Sequence, residues 1–267
     1  MNILLLSGSH SRHLYFFSEV LKTKHNFKSV IMERETMFPD FPQNLDAKDK
    51  KYFKTHFENR YSAEQKAFGI NHIHDVFDNS QSIICKPDQL HSDKIINFIN
   101  SEKYDLCIIF GTDLIKDKLM KILPDITINL HLGISPYYRG SATLFWPFYF
   151  LMPQFCGATF HLITNEPDAG DILHHSIPKL SIGDKIHDVA VNVVKSASRD
   201  IINILQNKDM DKWKFYSQKK IGKLFFESDF HPSHLRLIYD QYNDKIVDEY
   251  LKGNLATKRP KLINALS

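Results

Sequence analysis

The chain has 267 residues, 43% hydrophobic and 24% charged, with a formal net charge of +3. That balance supports one enlarged core without disulfide or metal and excludes intrinsic disorder, and the small charge excludes a wholly basic, nucleic-acid-binding surface. Cys85, Cys107 and Cys156 are odd in number and in no Cys-x-x-Cys spacing, which excludes a disulfide framework and a zinc ribbon and fits a reducing, cytoplasmic setting.

Residues 3–6 are an apolar run with no basic segment before it, so it reads as a first strand and not as a signal peptide. Nowhere do the roughly 18 successive apolar residues of a membrane helix occur. After the turn Gly8-Ser9-His10-Ser11, residues Leu14, Phe17, Val20 and Leu21 recur at helical spacing, and 27–32 is a second strand. Between 33 and 80 the pattern breaks. Pro39 and Pro42 are followed by Phe53, Phe57, Tyr61 and Phe68 on one helical stripe, an insertion that packs onto the body or serves as a substrate lid. Apolar runs at 83–85, 106–110 and 127–130 alternate with helical stretches near 93–99 and 114–122. This alternation predicts an α/β fold with a Rossmann-like, doubly wound, mostly parallel sheet.

Farther on, 158–163 and 172–180 read as paired strands. Asp184 then caps a helix carrying Ile186, Ala190, Val193, Ala197, Ile201 and Ile204 on one face. Residues 212–226 read as a hairpin around Gly222, and Pro232 opens a short helix with Leu235 and Ile238 or Tyr239 inward. The division expected is 1–206 as the main domain and 207–267 as a small C-terminal α+β appendage. Phe225, Phe226 and Phe230 are candidates for an exposed homodimer surface.

Polar residues interrupt the apolar pattern between 105 and 175 at points that burial alone does not explain. Asn129-Leu130-His131 ends a strand, and alternation turns Asn129 and His131 to one side, beyond the carboxyl ends of the strands where open parallel sheets bind ligands. The loop Gly133-Ile134-Ser135-Pro136-Tyr137-Tyr138-Arg139-Gly140 follows. A second loop, Asn165-Glu166-Pro167-Asp168-Ala169-Gly170-Asp171, offers carboxylates to the same neighbourhood. His174-His175 and His231-x-x-His234 lack the spacing and partners of a metal site, so no metal is expected.

Asn-x-His after a strand, the aromatic-Arg-Gly loop, Gly157-x-Thr159-x-His161 and Asp168-x-Gly170 resemble the folate-dependent formyltransferases over roughly residues 100–205, with a weaker match over the first 30. The resemblance implies transfer of a formyl group from the co-substrate 10-formyltetrahydrofolate to an amine, with Asn129, His131 and Asp168 as catalytic residues. Phe110, Gly111, Thr112, Asp113, Leu114 and Ile115 would cradle the pterin, and the stretch 163–168, with Ile163, Thr164 and Asn165 foremost, would form its other wall. Substrate contacts are expected from Gly8, Ser9, Ser11 and Arg12, where the family holds a phosphate or, on the plainer reading, Ser9 or Ser11 caps the helix. Tyr137, Tyr138, Arg139 and Gly140 complete that set. This chain has Leu132-Gly133 where family members follow Asn-x-His with Pro-Ser. An insertion with a short C-terminal segment is most similar to the sugar N-formyltransferases, which implies a nucleotide-linked amino sugar as acceptor. Glycinamide ribonucleotide, methionyl-tRNA or a non-catalytic folate-binding module are the alternatives. Because the chain starts at the first strand, the N-terminal domain of formyltetrahydrofolate hydrolases is not expected.

Overall fold

The structure is a computed structural model describing every residue except Met37, Phe41, Lys208, Lys220 and Ser267, with the side chain of Asp117 also outside the described set. β1 (Asn2–Gly8), β2 (Asn26–Met32), β3 (Ser82–Cys85), β4 (Leu106–Phe110) and β5 (Thr127–His131) run parallel in the order β3-β2-β1-β4-β5. A short strand, β6 (Tyr138–Gly140), stands outside this sheet, and β7 (Ala158–Leu162) and β8 (Ile172–Ser176) extend it antiparallel beyond β5. The result is a seven-stranded, mostly parallel sheet with helices on both faces.

Period-two alternation divides the apolar residues of each strand between two cores. Ile3, Leu5, Ile108, Ile128 and Leu130 point to one face, where Leu14 and Phe17 of α1 (Ser11–Val20) and Val193, Ala197 and Ile201 of α6 (Ile186–Asn207) meet them. Leu4, Leu6, Cys107 and Ile109 point to the other face, against Ile95 and Ile99 of α3 (Asp93–Asn100) and Leu119 of α4 (Asp117–Ile122). Among the described residues, no helix is long and apolar enough to cross a membrane.

The aromatic stripe of the insertion lies on α2 (Ala47–Phe68), which packs over α1 and α6. The Asp46 carboxylate accepts from Asp49 N at its start, and Gly69 ends it at φ +66°, a left-handed cap that glycine adopts without a Cβ clash. Phe53 and Phe68 are buried, whereas Tyr61 is exposed. Residues 236–240 grip this helix from the C-terminal segment. Arg236 Nε pairs with Asp49 Oδ1 at 2.7 Å, and the Tyr239 hydroxyl shares a hydrogen bond of 2.9 Å with His56 Nδ1.

Five expectations are corrected. The helix expected over 114–122 begins at Asp117, because Lys116 N donates to His91 Nε2 at 3.2 Å. The strand expected over 172–180 ends at Ser176, two residues before Pro178, which has no N–H for a ladder. Asp184 does not cap α6. Its carboxylate closes a turn on Ser181 N (2.8 Å), and Asp244, 58 residues downstream of Ile186, accepts from Ile186 N at 3.1 Å. Among the described residues of 212–226 no hairpin forms: β9 (Lys223–Phe225) pairs parallel with β6, and Tyr216 pairs with Ile172 of β8. These contacts bury Phe225 against Trp146 of the short helix α5 (Trp146–Tyr149) and bring Phe230 onto Phe145, with centroids 4.7 and 4.9 Å apart. Of the three phenylalanines expected outside, Phe226 is exposed, at 61%.

The outer edge of β8 is covered by the C-terminal segment. Ile172 and Tyr216 exchange backbone hydrogen bonds of 2.8 and 2.9 Å, and His175 N donates to Ile263 O at 2.9 Å. Ile263 N and Ala265 N donate back to Nδ1 of His175 and of His174 at 2.9 and 3.1 Å. The last helix, α7 (Ile246–Leu251), buries Ile246 and Val247 in the same core as α6.

Candidate active site

Ile128 and Leu130 are committed to the α1/α6 core, so Asn129 and His131 emerge on the opposite face at the carboxyl end of β5. Antiparallel pairing with β7 sets His161 opposite Asn129 and Thr159 opposite His131. Thr159 Oγ1 donates to Gly133 O (2.6 Å) and accepts from Ser135 N (2.9 Å), pinning the loop that leaves β5. His161 was quoted in the sequence pattern without a place in the site. The alternation Thr159-x-His161 was the signal for it.

Asp168 comes from the loop between β7 and β8 and sits at the centre of this group. Its Oδ2 accepts from Gly140 N at 2.8 Å and lies 3.3 Å from His131 Nδ1, while Oδ1 lies 3.4 Å from His161 Nε2. Asn129 Nδ2 lies 3.3 Å from that same His161 nitrogen, and the other ring nitrogen donates to Leu162 O at 2.8 Å. Gln218, from the C-terminal segment, holds the loop from behind through Asp168 O (2.9 Å) and Gly170 O (2.7 Å).

Burial works against a charge on Asp168, but His131, His161 and the Gly140 N–H together hold its carboxyl well below the usual carboxylate range. The His131 ring is shifted as well. Burial lowers its pKa, and the pull of Asp168 and of the Tyr138 carbonyl offsets this only in part, with His161 and Arg139 adding to the fall. The His131 ring therefore stands neutral near pH 7, Nε2 donating to Tyr138 O at 2.9 Å.

Asn129, His161 and Asp168 open onto a cavity of about 150 Å³. Ile109, Leu114, Ile115, Met120 and Ile163 supply its apolar walls, and Thr112, Asp113, Thr164, Glu166 and Pro167 its rim. Most of the expected pterin-binding residues are thus brought together. Phe110 and Gly111 are not lining residues, the Phe110 ring packing on His13 at 4.6 Å, and Asn165 is exposed on the loop. Glu166 and Pro167 line it too, within the expected 163–168 wall, and Ile109, Met120 and His161 join without having been singled out for it. A flat, mostly apolar ring edged by hydrogen-bonding groups fits such a slot.

The expected acceptor contacts divide. Arg12 lines a second cavity, beneath α2. Neither serine caps α1, because Ser9 Oγ accepts from Arg34 N (3.0 Å) and Ser11 Oγ donates to Ile70 O (2.6 Å). Gly8 is buried beside His13. Tyr137 and Tyr138 line neither cavity: the Tyr137 hydroxyl accepts from Lys261 N at 3.2 Å, and the Tyr138 ring stacks on Phe225. Arg139 pairs with Glu166 at 3.3 Å, at the rim of the first cavity.

Gly170 sets how close the Asp168 loop lies to β7. A Cβ there would stand 1.8 Å from Leu162 O, a backbone atom that cannot step aside. Gly170→Ala is expected to lower stability by about 1–3 kcal/mol, as overpacking does, measured as a fall in the urea midpoint; an unchanged midpoint contradicts the close approach.

No protein-family model matches the sequence, and no curated protein sequence matches it. Solved structures of formyltransferases match its fold. The formyltransferase PseJ from Anoxybacillus kamchatkensis, in complex with UDP-4,6-dideoxy-4-formamido-L-AltNAc and tetrahydrofolate, matches with a TM-score of 0.52 at 16% identity, covering 92% of this chain and 96% of that one. An N-formyltransferase from Helicobacter canadensis, in complex with folinic acid and dTDP-3-aminofucose, matches with a TM-score of 0.53 at 17% identity, covering 91% and 82%. Phosphoribosylglycinamide formyltransferase from Anaplasma phagocytophilum matches with a TM-score of 0.53 at 15% identity, covering 85% and 98%. The chain therefore has the formyltransferase fold.

Proposed function

We propose that the chain is an N-formyltransferase that moves a formyl group from 10-formyltetrahydrofolate to the amine of an amino sugar, nucleotide-linked in the full reading. The observation that carries this reading is the convergence of His131 and His161 on the Asp168 carboxylate, with Asn129 beside His161, at the mouth of a slot suited to a pterin. Bound there, 10-formyltetrahydrofolate would supply an activated formyl carbon. In this reading residues 1–206 hold the reacting groups, and 207–267 brace them through Gln218.

The chain's own contribution is orientation, hydrogen-bond donation and proton handling. Asn129 Nδ2 donates to the formyl oxygen as negative charge builds there, a role that a fixed donor performs at a gain of about 3–4 kcal/mol. The acceptor nitrogen forms a bond to the formyl carbon and loses a proton as the bond to the folate nitrogen breaks and that nitrogen gains one. His131, neutral before reaction, accepts the proton, and the imidazolium so formed lies between Asp168 and the Tyr138 carbonyl. Both stabilise it until the proton passes to the departing nitrogen. Holding two reactants at one place supplies the remainder of the acceleration.

The test is an assay with 10-formyltetrahydrofolate and a panel of amino sugars, nucleotide-linked amino sugars and glycinamide ribonucleotide, following release of tetrahydrofolate and the mass of the acceptor. A gain of one formyl group on a sugar amine is expected. Formylation of glycinamide ribonucleotide alone would move the acceptor assignment, and folate binding with no amine formylated would favour a non-catalytic folate-binding module.

A further inference from the structure

Seven residues after His131 the chain supplies the Tyr138 carbonyl on which that ring rests, so the loop between them sets where the ring stands. Tyr138 N donates to Ile134 O at 3.0 Å and ties the far end of the loop to its near end. A Cβ on Gly133 would stand 2.5 Å from His131 Nε2 and 2.7 Å from Tyr138 O, so the loop backbone is packed directly against that hydrogen bond. Packing this close passes a shift of the loop on to the ring.

Ser135, wholly buried in the middle of the loop, is held at both backbone atoms by side chains of the sheet. Thr159 Oγ1 accepts from its N–H at 2.9 Å, and His175 Nε2 donates to its carbonyl at 2.9 Å. Thr159 and His175 stand opposite each other on β7 and β8. His175 is 5% exposed and lines neither of the two cavities, so it has no contact with a reactant through which to act.

The C-terminal segment decides which nitrogen of His175 carries the proton. Nδ1 accepts from Ile263 N at 2.9 Å and so has no proton of its own, which puts the proton of the neutral ring on Nε2, facing Ser135 O. Burial pushes the imidazole down to about 4 against the pull of Ser135 O, so at pH 7 the ring is neutral and has one proton to place. The other tautomer would take this donor from the buried Ser135 carbonyl and set two N–H groups against each other. The same segment reaches the loop a second time, through Lys261 N on the Tyr137 hydroxyl at 3.2 Å.

We propose that His175 is a positioning residue for formyl transfer: the docked Ile263 N–H selects its Nε2–H form, which holds Ser135 and with it the Tyr138 carbonyl that fixes His131. The proposal rests on the formyltransferase reading for its effect on turnover, and it adds a link from the C-terminal segment to the proton-accepting ring.

The experiment compares His175→Gln, His175→Asn and Ile263→Pro in the full chain, by steady-state kinetics with the amine that wild type formylates and by NMR of the His131 ring N–H. Glutamine places its amide nitrogen near imidazole Nε2 and keeps the donor to Ser135. Asparagine places its oxygen near Nδ1, keeps the contact with Ile263 and loses that donor. His175→Asn is expected to lower kcat at least about tenfold with KM for 10-formyltetrahydrofolate unchanged, because a displaced reacting group costs rate and not binding. His175→Gln should recover kcat to within about threefold of wild type. Ile263→Pro deletes the N–H and leaves the carbonyl that His175 N uses. It should lower kcat in the same sense, and it decides alone where His175→Asn does not fold. A slowly exchanging Nε2–H signal of His131, assigned by its loss in His131→Gln, is expected in wild type and His175→Gln and absent in His175→Asn and Ile263→Pro. Wild-type kcat and ring signal in His175→Asn or Ile263→Pro overturn the proposal. An equal loss in His175→Gln and His175→Asn overturns it too, as the mark of a ring needed only for packing. If wild type formylates no amine, the formyltransferase reading fails, and the ring signal still decides the link to His131.

Discussion

Asp168→Asn is expected to lower kcat for formyl transfer by about 10²-fold or more, within the range of about 10²–10⁴ for loss of a positioned acid/base group. Asparagine is the informative replacement because Asp168 lies at φ +51°, in the left-handed region, which Asn tolerates and alanine does not. The amide keeps the size of the side chain and an oxygen for Gly140 N, now 2.8 Å away, and removes the negative charge beside His131 and His161. The imidazolium formed when His131 takes a proton then loses its counter-charge in a buried place, so the loss belongs in kcat. Folate affinity should change little, since the apolar walls of the slot are intact. Steady-state kinetics beside a tetrahydrofolate titration checks this: near-normal kcat removes Asp168 from the mechanism, and a loss confined to KM assigns it to binding alone.

The second large effect is acid sensitivity above the range where carboxylates titrate. Burial pushes His187 down to about 3, with Arg60 adding to the fall, and pushes His175 down to about 4 against the pull of its hydrogen bond to Ser135 O. Both folded-state values lie below the ordinary 6.5, so the unfolded chain takes up protons first as pH falls. Their contribution is fully present above pH 6.5 and is lost progressively down to pH 4 and pH 3. At pH 5 each has cost about 2 kcal/mol, from 1.36 kcal/mol per unit over about 1.5 units, and the two together are comparable with the lower end of a typical stability of about 5–15 kcal/mol. Asp168, also depressed, begins to weaken the fold only below the ordinary carboxylate value of about 3.9. Urea unfolding at pH 7 and pH 5 should therefore show a large fall in midpoint. Equal midpoints would mean that these rings are open to water in solution.

What was legible in the sequence follows interaction range. The strands of the parallel sheet and the face of Asn129 and His131 could be read because alternation is local and each strand buries both sides. The aromatic stripe of α2 could be read for the same reason at helical period. The Asp168 loop was found through its resemblance to a known pattern, since nothing in its spacing requires it to meet His131. Long-range partners were hidden. β9 pairs with β6 across more than 80 residues, Asp244 does the work given to Asp184, and Gln218 braces a loop 50 residues away. Tyr137 and Tyr138 were expected toward substrate because their aromatic-Arg-Gly loop resembles the family's. Packing against Phe155 and Phe225 decided their direction instead.

The covering of β8 bears on how copies of this chain meet. An uncovered edge strand presents unpaired N–H and C=O groups on which a strand from another molecule can add, the route to sheet-extended dimers and to fibres. Here Tyr216 and Ile263 already hold backbone groups of Ile172 and His175, and the imidazoles of His174 and His175 hold the tail in turn. The tail thus behaves as an intramolecular stopper on polymerisation at that edge. Contact between copies on this side of the sheet is left to side-chain surfaces such as the one around Phe226, where it would be governed by apolar contact and not by pairing on β8.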